Sequence, residues 1–291
     1  MTFRDFNETI VRTGCYDTPG PARFRLPSFL ATPIFIFRMF DFYLKGWLET
    51  FHHDYMNRYW ARSSFRVLRA IERTGGVVHL EGYENVKKLT GPAVVTSNHA
   101  SAIETYLFPL SLIPFGRNVS YVLKSSLRHY PLLGRVVRAI RPIEVDRKSP
   151  MEDLRQVMQR GVKAIQEGRH VLIFPQGSRF REFDPRKFNT LGTKLAMRAH
   201  CQVLPCCVSM DFWRIGKLHR DLTATCHPES PVRIAVGEPI ETEGVSQAEI
   251  QKRQLDFIQT TLARWEKLDN RKMLARPAES SGNPATGNDQ R

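Results

Sequence analysis

Ala93-Val94-Val95-Thr96 is followed directly by Ser97-Asn98-His99-Ala100-Ser101-Ala102-Ile103-Glu104. The first four residues read as a buried strand, and the stretch from Ser97 to Glu104 reads as a polar turn entering a helix. In α/β proteins the turn after such a strand is where ligands and reacting groups are placed. His99 and Glu104 stand five residues apart. On one helix that spacing rotates two side chains by about 140°, so they would not share a face. They can meet if His99 lies in the turn and Glu104 in the first helical turn. An imidazole and a carboxylate would then form a base and its orienter. A plainer reading also fits, because Ser101-x-x-Glu104 has the form of a capping box.

The alternation continues outward from this stretch. Residues 119–123 and 142–145 read as strands. Residues 170–174 read as another, running at once into Pro175-Gln176-Gly177-Ser178-Arg179. Residues 202–208 and 232–236 complete the set. A helix is predicted over 149–167, with Ser149 as its cap, Pro150 at its first position, Glu152 closing a capping box and Gly168 as its stop. Leu154, Val157, Met158, Val162 and Ile165 keep the helical period. Another helix is expected at 191–200. A last one starts at Ser246 with Glu249 and carries Ile250, Leu255, Ile258, Leu262 and Trp265. Together these predict an α/β fold with a central mixed sheet flanked by helices. There is no internal repeat, no G-x-x-x-x-G-K-[ST] and no G-x-G-x-x-G, so a nucleotide phosphate loop has no support.

The amino-terminal segment is different. The largely apolar run FLATPIFIF covers residues 29–37, only 9 residues. A spanning helix needs about 20. Arg38, Asp41 and Lys45 then recur on one helical stripe, with Phe35, Phe42, Tyr43 and Trp47 largely elsewhere. An aromatic face opposite a charged stripe suits an amphipathic helix lying in a membrane interface. The plainer alternative is a hairpin whose aromatic face packs on the main domain. A span or re-entrant segment at 26–48 also stays open. A second, basic helix is expected to carry Arg58, Arg62, Arg66, Arg69 and Arg73. The organisation expected is therefore 1–75 a membrane-associating helical region, 76–268 the α/β domain and 269–291 a disordered tail.

The chain has 291 residues and a formal net charge of +14. Its size and its 42% hydrophobic content allow a real core and exclude a fully disordered chain or a polytopic membrane protein. Residues 110–200 hold 18 Lys and Arg against 7 Asp and Glu, so the excess is concentrated there. Such a region attracts polyanions: nucleic acid, anionic lipid or phosphorylated substrates. No nucleic-acid motif accompanies it, and no nucleic-acid partner is expected. The 5 cysteines have no metal or C-x-x-C spacing, which fits a reducing compartment. No metal is expected. The polar start MTFRDFNETIVRTG shows no secretory signal.

Three further segments could carry chemistry. Gln176, Gly177 and Ser178 form a turn after a strand, where backbone N–H groups approach a ligand and Arg179 can grip a phosphate bidentately. Lys124 follows the strand at 119–123, and Arg147 closes Ile143-Glu144-Val145-Asp146-Arg147. Each is weak alone. In order they read N-H-x-x-x-x-E, then Lys124 with a downstream P-x-x-G at Pro131 to Gly134, then P-I-x-x-D-R, then F-P-x-G-[ST]-R, then V-x-P at Val203 to Pro205. That series resembles the glycerolipid acyltransferase family, in particular its lysophosphatidate acyltransferases, over roughly residues 77–240.

The resemblance implies roles. His99 would be the general base on a glycerol hydroxyl and Glu104 its orienter, where the family more often has Asp. Lys124 and Arg179 would hold the substrate phosphate, with Arg147 either assisting or structural. The Gly177 N–H would stabilise an oxyanion. The donor would be acyl-CoA or acyl-carrier protein, with no acyl-enzyme and no cofactor, and the product phosphatidate. Membrane lipids and lysophosphatidate would be its partners, at the cytoplasmic face of a membrane with monotopic attachment. Two departures stand out: Gln176 replaces the family's Glu, and Leu204-Pro205-Cys206-Cys207-Val208 is less aliphatic than usual. Rival readings are transfer to another lysolipid, such as a lyso-ornithine lipid, and a non-catalytic basic membrane-binding protein.

Overall fold

The computed structural model describes residues 1–20, 25–52, 55–215 and 223–274. Four elements precede the main alternation: α1 (Phe3–Thr13), β1 (Tyr16–Asp17), α2 (Ser28–Glu49) and α3 (Trp60–Arg73). Then come β2 (Val78–Glu81), β3 (Val94–Ser97), α4 (Ile103–Leu112), β4 (Val119–Lys124), α5 (Leu133–Ala139) and β5 (Ile143–Val145). The chain continues through α6 (Pro150–Gln166), β6 (His170–Ile173), α7 (Leu191–Arg198) and β7 (Val203–Ser209). It closes with β8 (Trp213–Arg214), β9 (Thr225–Cys226), β10 (Val232–Val236) and α8 (Gln247–Leu274).

Eight strands form one mixed sheet in the order β1-β2-β10-β7-β3-β6-β4-β5. The run from β7 to β5 is wholly parallel. β10 is antiparallel to β7, and β1 to β2. Parallel strands end on one side of the sheet, so the segments after β3, β4, β5 and β6 all emerge at the same edge. That topology gathers His99, Lys124, Arg147 and the 174–179 turn. The central strands β3, β6 and, up to its last residue, β7 are buried on both faces, as expected for parallel strands covered by helices. One face packs on α1 to α5, and the other on α6, α7 and α8.

Local signals explain the elements. The Ser149 hydroxyl accepts the Glu152 N–H at the start of α6, Pro150 leads the helix, and Gly168 takes φ +82° after it. Ser246 caps α8 through the Glu249 N–H. Ile250, Ile258 and Trp265 are the buried stripe of α8. The helix runs on to Leu274, and the remainder of the expected tail lies outside the described residues. His170 is buried and its Nδ1 accepts the Ala93 N–H at 3.1 Å. Burial pushes its imidazole down to about 4, so this histidine is a neutral structural acceptor.

The structure bears on the amino-terminal region in two ways, the second of them matching the alternative in which the aromatic face packs on the main domain. First, it is not separable from the sheet: β1 pairs with β2, and Val67, Leu68 and Ile71 of α3 sit in the main core. The basic residues of α3 border a buried face, and Arg66 pairs with Glu49. Arg58 is a residue whose side chain is not described. Second, Phe35 and Phe42 point inward, against Phe212, Trp213 and Tyr106. The outward apolar arc is a different set: Phe29 (75% exposed), Phe37 (71%), Phe40, Leu44, Leu48 and Phe51. With apolar residues on nearly every side of α2, periodicity could not say which arc faced in. No described helix is long and apolar enough to cross a membrane.

Candidate active site

β3 ends beside β7, and Asn98 extends that pairing with its side chain. Its Nδ2 donates to Val208 O at 2.9 Å, while its Oδ1 accepts the Val208 N–H at 2.8 Å. The amide thus mimics one more ladder residue and fixes where the next residue leaves the sheet. That residue is His99, in the turn before α4, with Glu104 in the first turn of the helix. The condition set by the five-residue spacing is met. His99 Nδ1 lies 2.7 Å from Glu104 Oε1.

Glu104 is fully buried, and His99 is mostly so. The carboxylate also accepts the N–H groups of Ala100 at 2.9 Å and Ser101 at 2.9 and 3.0 Å. Half of the capping-box pattern is therefore present: Glu104 reaches back to the Ser101 backbone, while the Ser101 hydroxyl accepts from Ile103 N–H. The catalytic and capping readings coexist in one carboxylate. Tyr121, from β4, donates its Oη–H to Thr105 O at 2.9 Å, and burial pushes its phenol up, keeping it a donor.

His99 opens onto a cavity of about 1070 Å³, at the upper end of ligand-pocket sizes. Lys124, Arg147, Arg179, Gly177 and Ser178 line the same cavity. Glu104 and Gln176 stand behind its wall. Arg147 adopts φ +59°, and the Asp153 carboxylate accepts the N–H groups of Asp146 and Arg147 at 3.0 and 2.9 Å. The first turn of α6 thus aims this arginine. Asp153, Asn189, Thr190 and Lys194 add polar groups, and most of the remaining wall is aromatic and aliphatic, with α2 supplying Phe35, Met39 and Tyr43 among others. An anionic group beside an apolar chain matches this division.

The 174–179 turn departs from expectation. The Gly177 N–H, expected to face an oxyanion, donates instead to Phe174 O at 2.9 Å, closing the turn at φ +66°. The Gln176 carbonyl is likewise engaged, accepting the His99 N–H at 2.9 Å. Neither group is directed at the cavity. Sequence reading also missed Lys194, a cavity cation on α7, and the hydroxyl contact of Tyr43 with Tyr106 at 2.5 Å. Lys194 had a signal, since it falls one turn into a helix that starts at the same sheet edge. The tyrosine pair had none, being 63 residues apart.

Residues 77–209 match the Acyltransferase family model. A 1-acyl-sn-glycerol-3-phosphate acyltransferase of Pseudomonas aeruginosa is 31% identical over 178 residues, 61% of this chain and 62% of that protein. One from Limnanthes douglasii is 33% identical over 129 residues, 44% of this chain and 43% of that protein. The chain thus spans less than two thirds of the length of these relatives. The crystal structure of a 1-acyl-sn-glycerophosphate (LPA) acyltransferase from Thermotoga maritima shares the fold. Its TM-score is 0.58 at 20% identity, covering 87% of this chain and 98% of that one.

Proposed function

We propose that residues 77–209, which match the Acyltransferase family model, form an acyltransferase domain of the glycerolipid type, and that this protein acylates the free hydroxyl of 1-acyl-sn-glycerol 3-phosphate, giving phosphatidate. The donor is the thioester of acyl-CoA or acyl-carrier protein. The observation that carries the reading is the His99–Glu104 pair at 2.7 Å opening onto a cavity shared with Lys124, Arg147 and Arg179.

Glu104 binds Nδ1, which fixes that nitrogen as the protonated one and leaves Nε2 as the base. Nε2 takes the proton of the acceptor hydroxyl as its oxygen attacks the thioester carbonyl. A C–O bond forms and the C–S bond breaks. The imidazolium returns its proton to the leaving thiolate, and Glu104 stabilises the charge in between. Lys124 and Arg179 hold the phosphate, and Arg147 assists. No covalent acyl-enzyme intervenes.

Free-thiol release from acyl-CoA tests this directly, with lysophosphatidate or lysophosphatidylethanolamine as acceptor. Turnover with the first alone supports the phosphate assignment; turnover with the second alone overturns it in favour of another lysolipid. Arg179→Ala should raise the acceptor KM about 10- to 100-fold with a smaller change in kcat, because it removes a charge-assisted grip. A change confined to the donor KM would reverse the assignment.

The substrate's acyl chain sits in a bilayer, and the exposed arc of α2 is suited to lie there monotopically, at the cytoplasmic face. A Phe37→Glu, Phe40→Glu protein should lose pelleting with anionic liposomes and melt like wild type, since both side chains are exposed. Undiminished pelleting would place the membrane contact elsewhere. Removing residues 1–75 is no substitute, because it takes away part of the core. Phe35→Ala, on the inner arc, should instead cost about 3–5 kcal/mol of stability.

A further inference from the structure

The 174–180 loop grips His99 at three points. The Phe174 ring stacks on the imidazole, with centroids 4.2 Å apart and an interplanar angle of 18°. The Phe180 N–H donates to His99 O at 2.9 Å. Gln176 Oε1 accepts the His99 N–H at 2.9 Å. With Glu104 on Nδ1, the residue is held at its main chain, its ring face and one ring nitrogen. Only Nε2 is left for chemistry.

The Gln176 contact is unusual in what it leaves unused. The side chain is about nine-tenths buried, and its Nε2 has no hydrogen-bond partner among the described residues. Its orientation is not in question, because a backbone N–H only donates and must meet the carbonyl end. A buried donor without a partner is unfavourable. The amide is therefore retained at a cost, for its carbonyl alone. Gln176 is not among the residues that line the cavity, and the carbonyl oxygen that meets His99 has no donor to offer an oxyanion.

We propose that Gln176 is a positioning residue, which fixes the His99 main chain from the same turn that carries Arg179. This rests on the acyl-transfer function proposed for the site. Acceptor phosphate held by Arg179 and the base on His99 are then referenced to one short loop, three residues from clamp to grip. A shift of the loop would carry both together, so their separation stays constant. Misplacement by about 1 Å can cost 10²-fold in rate, which is the scale this clamp has to control.

Two variants separate the clamp from general packing. Gln176→Leu keeps the bulk without an acceptor, and Gln176→Glu keeps an acceptor oxygen. Gln176→Leu should lower kcat about 10- to 100-fold, with both KM values within about threefold. Gln176→Glu should recover most of that kcat. Equal losses in both variants, or a loss confined to KM, would overturn the proposal. If Gln176→Leu does not fold, Gln176→Asn takes its place, since it draws the carbonyl back by one methylene. Carbethoxylation of His99 by diethyl pyrocarbonate, followed by peptide mass, gives a readout independent of turnover. Its rate should change at least about threefold in Gln176→Leu and stay near wild type in Gln176→Glu. An unchanged rate in Gln176→Leu would overturn the assignment even if wild-type protein proved inactive on lysophosphatidate. Such inactivity would itself count only against the acyl-transfer function.

Discussion

His99→Ala should reduce kcat by about 10²- to 10⁴-fold while leaving the melting temperature close to wild type. The two halves of that expectation have separate causes. The contacts that place residue 99 in the turn are made by its N–H to Gln176 and its C=O from Phe180, and alanine keeps both. Glu104 loses the imidazole but retains the N–H groups of Ala100 and Ser101, so its carboxylate is not stranded. What disappears is the stack on Phe174 and the one ring nitrogen open to the cavity. Thiol release and thermal melting on the same preparation check both. Turnover within tenfold of wild type would take the base role away from His99. A large drop in melting temperature would show that the ring, rather than the main chain, organises the turn.

The parts of this fold that were legible are those whose signals are local. The strand at 94–97 announces itself by Ala93-Val94-Val95 and the β-branched Thr96, and α6 by Ser149, Pro150 and Gly168 at its ends. The His99–Glu104 pair was legible for the same reason, since only the helix start between them decides whether they meet. Two kinds of feature were not. One is pairing at long range: Tyr16–Asp17 becomes a strand only because β2 lies 62 residues on, and the Gln176–His99 bond joins residues 77 apart. The other is direction. Nothing in Phe35, Phe37, Phe40 and Phe42 as residue types separates those against Trp213 and Tyr106 from those facing solvent. Likewise, a glycine in a turn suggests an available N–H, but at Gly177 the left-handed backbone turns that N–H back onto Phe174.

Glu104 carries both a structural and a catalytic load, and two substitutions should pull them apart. Glu104→Ala removes the acceptor for the Ala100 and Ser101 N–H groups, the second of them on a fully buried residue. Each stranded donor costs about 1–3 kcal/mol, so a loss of about 2–5 kcal/mol is expected in urea unfolding, together with loss of turnover. Glu104→Gln behaves differently. An amide oxygen placed at the Oε1 position still meets His99 Nδ1, Ala100 N and Ser101 N. Its nitrogen then faces the Ser101 N–H across 3.0 Å, donor against donor, a penalty of about 1–2 kcal/mol. The fold should therefore survive, yet the carboxylate opposite the developing imidazolium is gone, and kcat should fall by at least about 10²-fold. If Glu104→Gln turned over like wild type, the carboxylate would be a helix-start brace alone, which is the capping reading of Ser101-x-x-Glu104. If Glu104→Ala unfolded like wild type, the turn would be held by the Gln176 and Phe180 contacts without it. Only the pairing of an intact Glu104→Gln fold with lost turnover assigns the residue to the chemistry.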